Sequence, residues 1–198
     1  MAVKLGDNTP KVQGRLNINP LSHMDPVGTI CLLFGGFGWG KPVQINPTNF
    51  KRPEKDSAKV AFAGPVMNFI LAIISSIIYA LLIAFAIKNK CFEIGITGYN
   101  YTGVWGPIIS IAGYSMFLNL GLCIFNLLPF PPLDGSKIYR AFAHGKVKEF
   151  LYSLENYSMI IIMILFVTHV SSYIINPIIE VIYKYILTPI MEAVLNLI

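Results

Sequence analysis

This 198-residue sequence predicts an all-α integral membrane fold: three to four transmembrane helices preceded by a re-entrant loop or hairpin at the N-terminus. Three observations carry that expectation. Hydrophobic residues make up 55% of the chain and charged residues 13%, a balance suited to lipid as the solvent. Residues 60–87 and 94–133 contain no Asp, Glu, Lys or Arg, and each stretch exceeds the roughly 20 helical residues that cross hydrocarbon. Alternating strands about ten residues long are missing, which disfavours a transmembrane barrel.

The elements follow in order. Residues 1–59 are polar and rich in turn signals, with Asp7-Asn8-Thr9-Pro10, Asn19-Pro20, Asp25-Pro26 and Asn46-Pro47 all opposing a long helix. Within them, residues 26–40 are mostly apolar but too short and glycine-rich for a regular span, ending in Gly35-Gly36-Phe37-Gly38-Trp39-Gly40. This is the expected re-entrant or interfacial hairpin, since irregular backbone at membrane depth must be buried in protein or line a wet cavity. A first span is expected over 58–87, closed by Lys88 and Lys90, with Pro65 in an early turn. A glycine-bearing loop leads to a second span over 105–128, broken by Pro129-Phe130-Pro131-Pro132. A third span is expected over 156–179. The last apolar segment, 185–198, carries Pro189 and Glu192 and either lies on the membrane or completes a tilted span. One membrane-embedded domain is therefore expected, with loop and hairpin over 1–59 and transmembrane helices over 60–198.

A net charge of +5 raises nucleic acid as a partner, but the basic residues sit in short polar segments between apolar runs, as anchors at a lipid surface do. Eight of the fifteen precede residue 60, two fall in 88–101, four in 134–155 and one after Glu180. By the positive-inside tendency, the N-terminal segment and the 134–155 loop face the cytoplasm of a multi-pass protein, expected in the cell membrane. Lys4, Asp7, Lys11 and Arg15 interrupt any signal-peptide pattern, so insertion is expected to rely on internal spans. Cys31, Cys91 and Cys123 are scattered, with no paired spacing that suggests a disulfide framework or a cysteine zinc site. A channel or transporter would show matching broken segments around a midplane site, and no convincing pair is present.

The sharpest local signal is Asn126-Leu127-Leu128-Pro129-Phe130-Pro131-Pro132-Leu133-Asp134-Gly135, where an amide and a carboxylate bracket a proline-broken helix end. An ionisable group in such apolar surroundings is costly unless paired or ligated, which marks it as functional. By position alone a second reading stands beside this one: Asp134 caps the next helix at the interface and Asn126 bonds between helices.

The pattern Asn-x-x-Pro-x-x-Pro-Leu-Asp-Gly resembles the signature of the site-2 protease family of intramembrane zinc metalloproteases. Further resemblances occur in the family's order: Gly14-Arg15-Leu16, Asn19-Pro20-Leu21 and His23-Met24-Asp25-Pro26; then Gly38-Trp39-Gly40-Lys41-Pro42-Val43 with Asn46-Pro47; then Ala63-Gly64-Pro65 with Asn68. The resemblance covers about residues 5–141. It implies that Asp134 is a zinc ligand, that Asn126 lies in the catalytic site, and that Trp39, Asn68 and Asn126 meet substrate. The implied activity is zinc-dependent cleavage of membrane-embedded protein substrates within the bilayer.

The sequence departs from the family at one point. The family's helical His-Glu-x-x-His, whose spacing puts both imidazoles on one face, is absent, and the histidines are His23, His144 and His169. A catalytic zinc takes about three protein ligands and one open position, and Asp134 supplies one. Val3-Lys4-Leu5-Gly6-Asp7 resembles family sequence just downstream of the missing helix, so the chain is expected to start after the catalytic motif and to be truncated and inactive alone. The alternative is a non-catalytic membrane scaffold binding transmembrane partners. His23 is expected to bond within its loop, His169 between helices, and His144 to be solvated. Phe34, Phe37, Trp39 and Trp105 also suit interfacial anchoring.

Overall fold

The computed structural model describes residues 1–35, 38–95, 98–168 and 170–197. Gly36 and Phe37 of the expected hairpin, and His169 with its expected inter-helix bond, lie outside the described residues. The chain divides into two compact units, Met1–Val60 and Ala61–Ile198.

The first unit is held together by polar bonds more than by an apolar core. A short helix α1 (Thr9–Val12) lies between 3-10 turns at Ala2–Leu5 and Pro20–Ser22. Asp7, fully buried, accepts hydrogen bonds from the Thr9 amide and hydroxyl, the Asn46 amide at 2.8 Å and the Asn49 side chain at 2.8 Å. One carboxylate thereby ties the start of the unit to its end. The expected hairpin contains a regular element, the ten-residue helix α2 (Pro26–Gly35). Proline suits a first helical turn, and the Asp25 carboxylate accepts from the Gly28 amide at 3.0 Å, as an N-cap does. The chain then returns, with Gly40 bridged antiparallel to Met24 and the Lys41 amide donating to the His23 carbonyl at 2.8 Å. A Cβ added at Gly28 would sit 2.1 Å from the Trp39 carbonyl oxygen, and one at Gly38 would sit 2.3 Å from that of Gly28. Both glycines are needed for the returning chain to lie directly on α2.

Helix α3 (Pro53–Lys88) begins in the first unit, where Pro53 opens it and the Asp56 carboxylate accepts from the Arg52 amide at 3.0 Å. Its start precedes the expected Ala58 because this acidic first turn favours a helix N-terminus. Pro65 lies inside the helix and has no N–H for the Ala61 carbonyl.

In the second unit α3 is followed by a two-stranded antiparallel hairpin, β1 (Phe92–Gly95) and β2 (Gly98–Tyr101), where the sequence suggested a loop. Helix α4 (Trp105–Asn126) follows, then α5 (Asp134–Phe142), α6 (Gly145–Ser153), α7 (Ser158–Val167), α8 (Val170–Ile182), a π-helical turn over Tyr183–Leu187, and α9 (Thr188–Asn196). Ala72 and Ala80 of α3 meet Met116, Leu120 and Ile124 of α4 with Leu187 and Met191, all buried in one core. Small residues let helix backbones approach closely in lipid, where no hydrophobic drive separates helix from solvent. The Ser75 and Ser115 hydroxyls bond across the same contact at 3.1 Å, and the Asn119 amide donates to the Ser115 carbonyl at 2.8 Å.

The described fold is thus predominantly helical. Helices α3 and α4 are long and apolar enough to cross a membrane, and the stretches Gly145–Leu165 and Val170–Asn196 supply a third span if that bent pair counts as one. The expected span 156–179 is split between α7 and α8, with the Thr168 hydroxyl turned back to the Ile164 carbonyl at 2.6 Å.

Candidate active site

The site is built where α4 stops. Pro129 disfavours helix at the residue before it, and α4 ends at Asn126, two residues short of the expected Leu128. Tight turns follow: the Leu127 and Leu128 amides donate to the Ile124 and Phe125 carbonyls at 3.1 Å, and the Leu133 amide donates to the Phe130 carbonyl at 2.9 Å. The Pro131–Pro132 peptide is cis. Leu133 is extended at φ −68°, ψ 154°, and Asp134 is the first residue of α5. The Ser136 hydroxyl, buried, closes the turn on the Leu133 carbonyl at 2.8 Å.

Gly135 explains the Asp-Gly pair. A Cβ there would lie 2.2 Å from the Leu128 carbonyl oxygen and 2.4 Å from that of Leu127, so any larger residue drives α5 off the end of α4. Gly64 does the same for the carboxylate, because a Cβ at that position of α3 would lie 3.2 Å from Asp134 Oδ2. Asp134 is half-buried, and burial pushes its carboxyl above the ordinary carboxylate range, opposed in part by the Lys137 charge. No side-chain donor is bonded to it among the described residues, and the N-cap of α5 is Leu133, with no side-chain cap bond, so Asp134 is not the cap of its own helix. Beside the turn lies an apolar groove of about 460 Å³, walled by Pro65, Phe69, Cys123, Leu128, Pro129 and Tyr139 among others.

Asn126 donates from Nδ2 to the Leu122 carbonyl at 2.9 Å, one turn back on its own helix. It therefore sits at the α4 end of the same turn as Asp134. Asn68 is half-buried and four residues beyond Gly64, which puts it on the same face of α3 one turn further along. Trp39 belongs to the first unit, where its backbone packs on Gly28 and the residue is 45% exposed. His23 shares a hydrogen bond between its Nε2 and the Asn17 carbonyl at 3.0 Å, in keeping with a loop role, and exposed His144 precedes α6 as its N-cap residue.

The residues fall short of a zinc site. Among the described residues no group of three or more His, Cys, Asp or Glu could hold a metal ion, and Asp134 stands as a single donor. Two features escaped the sequence reading. Gly64 was visible only as part of a motif, not as the seat of a carboxylate two helices further along the chain. Tyr139 of α5 lines the groove, and its position five residues after Asp134 was the available signal.

A profile of peptidase family M50 matches residues 27–169. YwhC of Bacillus subtilis, named as a zinc metalloprotease, is 39% identical over 178 residues, covering 89% of this chain and 76% of that protein. A Mycolicibacterium smegmatis protein so named is 23% identical over 176 residues, 84% of this chain and 59% of the relative. A zinc metalloprotease of Methanocaldococcus jannaschii is 32% identical over 97 residues, 48% of this chain and 22% of the relative. No solved structure matches the chain.

Proposed function

The chain belongs to peptidase family M50, the site-2 protease family, and from that membership we propose that it carries the aspartate side of an intramembrane zinc endopeptidase that cleaves membrane-embedded protein substrates. The observation that carries this reading is Asp134: a half-buried carboxylate at a proline-broken helix end, with one oxygen against Gly64 and no bonded side-chain donor among the described residues. Such a group calls for a partner, and a metal cation is the partner that the family's chemistry offers.

In this reading Asp134 is one zinc ligand and a His-Glu-x-x-His helix outside these 198 residues supplies the others. The polypeptide alone is inactive. Asn126 donates from Nδ2 to its own helix, which leaves Oδ1 as an acceptor for a substrate N–H. Asn68 lines the same side of α3, and the α2 hairpin with Trp39 is a re-entrant element that guides an extended substrate by strand-like pairing. The protein is multi-pass in the cell membrane, with three to four spans.

The test is zinc content and cleavage together. The chain is co-purified with a polypeptide carrying a His-Glu-x-x-His helix encoded upstream in frame, and zinc per protein and cleavage of a membrane-spanning substrate are measured. Zinc near one per complex, lost in Asp134→Asn together with cleavage, is the expected result. A complex that takes up no zinc, or an Asp134→Asn complex that keeps all of it, rejects the reading. The isolated aspartate also favours a second reading, a non-catalytic scaffold that binds transmembrane partners. That reading gains if no such helix is encoded upstream.

A further inference from the structure

Glu180 and Lys184 stand at a depth where charge is costly. A Cβ added at Gly121 of α4 would lie 4.0 Å from Ile179 Cδ1 of α8, and four residues earlier on α4 the Phe117 ring stacks on Tyr183 with centroids 5.2 Å apart. Four residues back along α4 thus match four residues forward along α8, so the two run antiparallel, with Glu180 about level with Leu120 and Lys184 with Met116. Helix α4 is long enough to span, and Met116 is about 15 Å from either end of it, Leu120 about 9 Å from Asn126. An acid and a base are therefore carried well into a hydrocarbon layer about 30 Å thick.

Neither charge is used within the fold. Both residues are exposed, no ion pair joins them, Glu180 makes no hydrogen bond among the described residues, and the Lys184 ammonium lies 5.4 Å from the centroid of the Tyr185 ring. Ionisable groups at such depth pair with one another or face water. Exposed Tyr173, Pro177, Glu180 and Lys184 follow at steps of four, three and four, which keeps them on one face with the spacing of a helix–helix seam. The same end of α8 carries further unused polar groups. Pro177 has no N–H for the Tyr173 carbonyl, and exposed Asn176 makes no hydrogen bond among the described residues.

The charge pattern names the occupant. Lipid tails offer neither an acid nor a base. The face holds one of each, one turn apart, so it is complementary to itself. Two copies inserted with the same orientation are related by a two-fold axis along the membrane normal, in which a contact from one residue to another is made twice. The Lys184 stem, four carbons long and flexible, covers the offset of about 6 Å to the level of the other copy's Glu180. Asn176 then comes close to the other copy's Tyr173 carbonyl. We propose that this face of α8 is the contact between two copies of the chain in the membrane, closed by two Glu180–Lys184 ion pairs. The proposal stands whether or not the chain takes part in catalysis.

The experiment reconstitutes the full chain in liposomes, with donor and acceptor fluorophores attached to separate batches at the C-terminus, and follows energy transfer as added lipid dilutes the protein. Transfer should fall along a monomer–dimer curve. Polar contacts between spanning helices are modest one by one, so Glu180→Lys or Lys184→Glu alone, each setting like charges face to face, should weaken association at least about 10-fold. Mixing the two variants, one as donor and the other as acceptor, should restore it, because opposite charges meet again. That recovery also shows both variants to be folded. As a measurement without charge reversal, Tyr173→Cys in a background of Cys31→Ser, Cys91→Ser and Cys123→Ser should give a disulfide between copies on oxidation. No transfer at the highest protein density, transfer unmoved by either reversal, or helical variants that fail to recover on mixing would each overturn the proposal. Absence of the disulfide does the same where the reversed chains lose their helical circular dichroism. A different membrane protein that co-purifies in place of the second copy, and is lost in Glu180→Lys, would assign the face to that partner and also overturn it.

Discussion

Gly135 shows how little room the site leaves. A methyl group there meets two backbone carbonyl oxygens that cannot swing aside, so Gly135→Ala should destabilise the chain by about 1–3 kcal/mol, read as a lowered Tm in detergent. At Gly64 the obstacle is a carboxylate that can rotate, and Gly64→Ala should cost less than about 1 kcal/mol while displacing Asp134. Asp134 itself is held at the expense of stability. Its folded-state pKa is raised, so the unfolded chain gives up the proton first as pH rises, and stability falls from the ordinary value near 3.8 upward through the folded value. Asp134→Asn should therefore melt above the parent at neutral pH, with the gain vanishing at acid pH; an equal or lower Tm at neutral pH would contradict the burial argument. Asp7 has the opposite sign. Burial pushes its carboxyl up, but hydrogen bonds from Thr9, Asn49 and Asn46 outweigh that and hold it well below the usual range. Its contribution is complete above about pH 4 and is lost as pH falls toward the folded value, so acid should loosen the parent more than Asp7→Asn, measured by Tm across pH. Asp134 was legible in the sequence because its motif is local. Asp7 was not, because its partners Asn46 and Asn49 lie 39 and 42 residues away and nothing local announces them.

The long helices were the readable elements, since stretches without charge leave few alternatives in lipid. Their ends were less so. Asn126 rather than Leu128 closes α4 because the effect of Pro129 reaches back along the chain, and Pro53 opens α3 early because Asp56 satisfies the Arg52 amide. For the split between α7 and α8 the available mark was polar: Thr168 and His169 stand between the two helices, with Ser171 and Ser172 just beyond, in an otherwise apolar stretch. For the β1–β2 hairpin a signal was present, because Gly95 and Gly98 bracket two residues, the length of a tight turn. Between elements, the Ser75–Ser115 bond makes a quantitative prediction for α3 against α4. A double-mutant cycle of Ser75→Ala and Ser115→Ala should give a coupling of about 0.6 kcal/mol, and a coupling near zero would mean that the alanine contacts alone hold the pair.

At the scale of the whole molecule, basic residues cluster before residue 60 and in the 134–155 loop, which places both on the cytoplasmic side in our reading. A His144→Cys variant, compared with the parent chain, should react with a membrane-impermeant maleimide in inverted vesicles and stay unlabelled in right-side-out cells. The reverse pattern would invert the topology. The Asp7 clasp bears on a different matter, the order of events during synthesis. Its last partner, Asn49, precedes Pro53, so all four of its donors are made before the first long apolar helix is complete. Domains fold as they emerge, N-terminal part first, at about 5–20 residues per second. The clasp can close while α3 is still inside the ribosome, so the first unit is shaped before α3 and α4 enter the membrane.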